Sequence, residues 1–86
     1  MTVRLSGRAS ELASGAETIR AEGPASLAEL IDWLGEAYGR PLREFLLEDG
    51  SCFFLVNGKG IMTTGGLSTP LRDEDAVEAL PLVGGG

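Results

Sequence analysis

One stripe of apolar side chains constrains this chain more than anything else in it. Leu27, Leu30, Ile31, Leu34 and then Ala37 or Tyr38 recur at helical spacing, while Glu29, Asp32 and Glu36 fall on the opposite side. The ends of the stripe are marked. Ser26 and Glu29 form an S-x-x-E capping box, Gly39 is placed to stop the helix in a left-handed conformation, and Pro41 is expected to prevent its resumption. The spacing predicts one amphipathic helix of about three turns. No other segment carries such a stripe, and the chain is only 86 residues long, so two separate cores would leave each too small to fold unaided. A single helix must bury its stripe against a sheet and covers one face of it. The expected class is therefore α+β: a mixed sheet of four to five strands packed on one main helix.

The strands are read from alternation. Val3 and Leu5 alternate with Thr2, Arg4 and Ser6, and Gly7 closes that strand. Arg8 to Ala16 is small, polar and Gly-containing, which predicts a loop with at most a helical turn. Glu17 to Ala21 alternates again and would pair antiparallel with the first strand before Gly23-Pro24 breaks the chain. Leu42 to Leu47 reads as a helical turn that lids one end of the core, and residues 48–51 as a turn. Cys52-Phe53-Phe54-Leu55-Val56 is apolar at every position, giving a strand buried on one face and sticky on the other. Asn57-Gly58 is a strong hairpin signal. Residues 60–66 read as loop with Ile61 and Met62 pairing briefly, and 69–75 as turn. Ala76 to Leu80 is the last strand, Pro81 ends regular pairing, and Gly84-Gly85-Gly86 holds no fixed structure alone.

Charge removes several functions. Seven Lys and Arg stand against 13 Asp and Glu, a net of −6, and no basic cluster exists for phosphates. Neither nucleic acid nor a membrane is expected as a partner, because no apolar run approaches the roughly 20 residues that cross a bilayer. Partner Arg and Lys residues would suit so acidic a chain. No metal is expected where His is absent and Cys52 is the only cysteine, and that lone thiol suits a reducing compartment. The opening Met1 to Gly7 lacks a signal peptide's long apolar region, so a cytoplasmic location is expected.

Catalytic constellations are missing as well. Without His there is no acid–base pair or triad, and Gly58-Lys59-Gly60 follows a hairpin turn rather than a strand-to-helix junction, which favours a plain turn over a phosphate cradle. Asp73-Glu74-Asp75 reads as a solvated turn, Cys52 as a small buried hydrophobe and Trp33 as a partly exposed packing residue. The C-terminus differs. Glycines 84–86 lack Cβ atoms and could thread a narrow channel, and six residues from Pro81 extend to about 20 Å.

Four segments together resemble the ubiquitin-like sulfur-carrier family that includes the small subunit of molybdopterin synthase (MoaD) and the thiazole sulfur carrier (ThiS). They are Gly7 to Ala13, Val56-Asn57-Gly58-Lys59, Thr69 to Val77 and Pro81-Leu82-Val83-Gly84-Gly85-Gly86. Glu74 stands where that family usually has Gly, and Gly84 where it has Ala or Ser. The resemblance implies a β-grasp domain over 1–83, with its first and last strands parallel at the centre, and a flexible tail over 84–86. It also implies that this chain is a carrier rather than a catalyst and binds no cofactor. An E1-like enzyme would adenylate the Gly86 carboxylate with ATP, a persulfide from a cysteine desulfurase system would supply sulfur, and Gly84 and Gly85 would thread the tail. The resulting thiocarboxylate would donate sulfur to an acceptor such as a molybdopterin synthase large subunit. Delivery to a thiazole, or conjugation of Gly86 to other proteins, are the alternatives, beside an interaction module whose tail is irrelevant. If Phe54 and Val56 face the helix, Phe53 and Leu55 join Leu80 and Leu82 in an exposed apolar patch for docking.

Overall fold

A computed structural model of the chain describes residues 1–48, 52–61 and 65–81. In chain order the elements are β1 (Thr2–Leu5), α1 (Gly7–Leu12), β2 (Thr18–Arg20), α2 (Leu27–Tyr38), α3 (Arg40–Leu47), β3 (Cys52–Val56), β4 (Lys59–Gly60), a 3₁₀ turn at Gly66–Ser68 and β5 (Ala76–Pro81). The five strands form one mixed sheet in the order β2-β1-β5-β3-β4. β1 and β5 are its parallel central pair, with Val3 opposite Val77 and Leu5 opposite Ala79. All other neighbours run antiparallel. This is the ubiquitin-like β-grasp arrangement, with α2 as the longest helix.

The capping box forms with its return bond shifted by one residue, from the N-cap Ser26 to Ala25. Ser26 Oγ accepts the Glu29 amide at 3.2 Å, and Glu29 Oε1 accepts the Ala25 amide at 3.1 Å. Leu27, Leu30, Ile31 and Leu34 are all buried, and they meet Val3, Leu5, Ile19, Phe54, Val56, Val77 and Ala79 from the inner face of the sheet. Tyr38 and Trp33 pack partly buried at the margin, whereas Ala37 is exposed. Asn57 and Gly58 adopt φ values of +53° and +83°, the geometry a two-residue hairpin of right-twisted strands needs.

Five local expectations are corrected or extended. Arg8 to Leu12 is not loop but most of α1: Ala9 and Ser10 are buried, so small side chains let the helix press onto α3 and β5 without an apolar stripe. The helical turn expected over Leu42 to Leu47 begins earlier, at Arg40; α2 does not resume, but Pro41 opens a new helix rather than only ending the old one. It sits at the start of α3, where its fixed φ and missing N–H cost nothing, and the two-turn helix buries Leu42 and Leu46. Gly39 between the helices has φ +111° and ψ 165°, a positive φ with extended ψ, so the chain turns sharply and begins a new helix. β5 continues through Pro81, which pairs with Cys52. Pro81 lies beyond the last β1–β5 pair, where the strand has a neighbour on one side only and tolerates a missing donor. The short strand opposite β3 is Lys59–Gly60; Ile61 packs partly buried against the core, and Met62 lies outside the described residues, as do turn residues 49–51.

The hairpin is tied to the start of β5 by side chains. Asn57 Nδ2 donates to Asp75 Oδ1 at 2.9 Å, Asn57 Oδ1 accepts the Ala76 amide at 2.9 Å, and Asp75 Oδ2 accepts the Arg72 amide at 2.8 Å. The Asn57 amide and then the Arg72 backbone hydrogen bond hold the Asp75 carboxyl below its ordinary value of 3.8. A group depressed in the folded state stabilises fully above the unfolded pKa and loses that contribution as pH falls through the folded one. Asp75→Asn is therefore expected to be less stable than the parent at pH 6, with the gap narrowing below about pH 4. Urea midpoints measured at the two pH values check this.

Candidate docking face and tail root

Strand alternation sorts the sheet into two faces. Phe54 and Val56 point into the core, which leaves Phe53 and Leu55 on the outer face as expected from their parity. Phe53 is 43% exposed and stands directly opposite Leu80 on β5. Leu55 is half-buried, and its partner is Glu78 rather than another apolar residue. The structure thus brings three of the four expected patch residues together, Phe53, Leu55 and Leu80, with one carboxylate at their edge. Leu82 and the tail residues Gly84, Gly85 and Gly86 lie outside the described residues.

Because β5 runs parallel to β1, Pro81 lies near the end of β1, where α1 begins. Gly7 there has φ +59°, and a Cβ on it would stand 3.1 Å from Pro81 Cγ. The glycine is needed twice, for its backbone angle and for the proline ring that closes over it. Alternation marks Gly7 as the end of a strand, but its contact with Pro81 spans nearly the whole chain and is not legible from spacing. Gly7→Ala is expected to lower stability by about 1–2 kcal/mol, from the left-handed backbone and the crowded ring. In the pair Gly7→Ala/Pro81→Ala only the crowding is relieved, so part of the loss returns; thermal unfolding of both variants measures the two shares.

Next to this root lies a groove of about 500 Å³ bounded by Arg4, Ser6, Gly7, Glu17, Glu78 and Leu80. Arg4 reaches it from β1. Arg4 and Arg20 both lie on the outer face, at exposed positions diagonal across the β1–β2 pair. Neither was singled out from the sequence, although the alternation Val3-Arg4-Leu5 already pointed Arg4 away from the core. Among the described residues no group of His, Cys, Asp and Glu side chains is placed to hold a metal ion, and no helix is long and apolar enough to cross a membrane.

Comparisons with known proteins agree with this architecture. Mycobacterium tuberculosis CysO, described as an antigen, is 27% identical, with a TM-score of 0.82 over 95% of this chain and 98% of that one. A chain of the Amycolatopsis orientalis BexX/CysO complex is 25% identical, with a TM-score of 0.82 over 99% and 98% of the two chains. The small archaeal modifier protein 1 of Methanosarcina acetivorans is 28% identical, with a TM-score of 0.82 over 99% of this chain and 94% of that one. No curated protein sequence matches. The ThiS family model covers residues 3–86, from the first central strand through the glycines, and the chain belongs to that family of ubiquitin-like sulfur carriers and modifiers.

Proposed function

We propose that this protein carries sulfur on its C-terminal glycine and delivers it in molybdopterin cofactor synthesis. The observation that supports this best is the placement of Leu80 and Pro81. The last described residues of β5 lie beside an exposed apolar face, so an enzyme seated on Phe53, Leu55 and Leu80 stands next to Pro81, from which the segment 82–86 continues.

The chemistry then runs in three steps on the Gly86 carboxylate. A carboxylate oxygen attacks the α-phosphorus of ATP on an E1-like enzyme, releasing pyrophosphate and leaving an acyl adenylate. The terminal sulfur of a persulfide, supplied by a cysteine desulfurase system, attacks the acyl carbon and expels AMP. A second thiol cleaves the sulfur–sulfur bond, forming a disulfide and freeing the thiocarboxylate. This chain contributes no acid, base or cofactor to those steps; it supplies the acyl group, and Gly84 and Gly85 supply access. The domain over 1–83 acts as the handle and residues 84–86 as the reach. Acceptance by a molybdopterin synthase large subunit follows from the similarity of Gly7 to Ala13 to that branch of the family.

A second reading is favoured by the likeness to the archaeal modifier protein: attack on the adenylate by a lysine amine of another protein, giving an isopeptide bond at Gly86. The products separate the two. Incubation with the activating enzyme, ATP, a sulfur donor and the acceptor subunit is expected to yield a small sulfur-bearing product. A ladder of larger protein bands without that product would instead establish the modifier.

A further inference from the structure

The docking face differs in charge from the rest of the molecule. The three ion pairs among the described residues all lie on helices: Arg8 with Glu11, Arg40 with Glu44, and Arg43 with Asp32. The helix layer thus neutralises its own cations and still carries Glu29 and Glu36 in excess. On the outer sheet face, Arg4 and Arg20 form no ion pair with another described residue; Glu78 stands opposite Arg4 in register, and Glu17 lines the same groove as Arg4. A chain with a net charge of −6 therefore keeps two exposed guanidinium groups, with no ion pair among the described residues, beside the apolar residues of this sheet face.

We propose that the enzyme docking on Phe53, Leu55 and Leu80 meets Arg4 and Arg20 with carboxylates at the rim of an apolar recess. This rests on the reading that the outer face is the docking surface for the E1-like enzyme, and it reverses the expectation that a basic contact surface would suit so acidic a protein. Guanidinium groups exposed on β-strands are held by the backbone on a fixed lattice and bind carboxylates through paired hydrogen bonds. Such rim charges set encounter rate and register more than final affinity, so an acidic rim distinguishes this face from the acidic helix layer, which it would repel.

The test measures binding of the full chain to the E1-like adenylating enzyme of the same cell, with ATP omitted so that docking is read apart from chemistry. Arg4→Glu/Arg20→Glu is expected to weaken binding about tenfold or more at low salt, with the difference shrinking as salt rises. Glu78→Gln is expected to tighten it about twofold, and Arg40→Glu on the helix layer to leave it within about twofold. Circular dichroism confirms that each variant folds. Unchanged or tighter binding by the double variant, or weaker binding by Glu78→Gln, overturns the proposal. Phe53→Ser tests the underlying reading separately: if it leaves binding intact, the outer face is not the docking surface. A parent chain that does not bind the enzyme removes the reading on which the charge argument rests.

Discussion

A chain shortened by Gly86 is expected to accept no sulfur, while its melting temperature stays within about 1 °C of the parent. The reason is geometric. One residue of extended chain is about 3.3–3.6 Å, so the new carboxylate on Gly85 would fall short of the adenylating site by that distance. Misplacement of a reacting group by even 1 Å can cost about a hundredfold, and a full residue should cost about a thousandfold or more. Stability is spared because every core residue among the described ones precedes Pro81. Gly85→Phe should fail similarly for a different reason, since a bulky ring cannot follow a path sized for glycine. If Gly85→Phe accepted sulfur at the parent's rate, the narrow-channel argument would be wrong although the carrier chemistry could stand. An interaction module would lose nothing in either variant.

Leu30→Ala is expected to be the most damaging single change to the fold. Leu30 is only 1% exposed and lies at the middle of the stripe that α2 presses onto the sheet. Truncating such a residue costs about 2–5 kcal/mol, lost burial and residual cavity together. A domain of 86 residues holds roughly 4–13 kcal/mol in all, so the change removes a large share of its stability. The expected fall in melting temperature is on the order of 10–25 °C. A urea titration should show a lower midpoint with an unchanged slope. At low temperature the folded fraction should still take up sulfur, because Leu30 holds the sheet and is no part of the C-terminal carboxylate's chemistry.

The parts of this fold that were legible in the sequence are those fixed by local chemistry. Ser26 and Glu29 announce the start of α2 because each satisfies an amide that the other end of the turn leaves free. Asn57-Gly58 announces its hairpin because few other pairs accept two positive φ angles. α1 was hidden because Ala9, Ser10 and Ala13 are small, and their burial depends on the approach of β5 and α3 rather than on a repeating stripe. α3 was legible only as a helical turn over Leu42 to Leu47, because a proline stops a helix it interrupts but starts one it precedes, and residues 39–41 alone do not say which.

The docking face divides along the same line. Alternation within Cys52–Val56 gave the parity of Phe53 and Leu55 once Phe54 and Val56 were taken as core, and their burial agrees. The neighbours across strands could not be read this way. That Leu80 faces Phe53, that Glu78 interrupts the patch beside Leu55, and that Arg4 stands opposite Glu78 are consequences of register between strands far apart in sequence. Gly7 beneath Pro81 is of the same kind. Net charge does not resolve such a face, because it sums over the surface, whereas a partner meets one face.

The most direct test of the carrier assignment is the intact mass of the protein after incubation with an E1-like enzyme from the same cell, ATP and a sulfur donor. The expected result is a gain equal to replacing one oxygen by one sulfur, mapped by fragmentation to Gly86. An unchanged mass, with the same enzyme shown to be active on its own carrier, would contradict it.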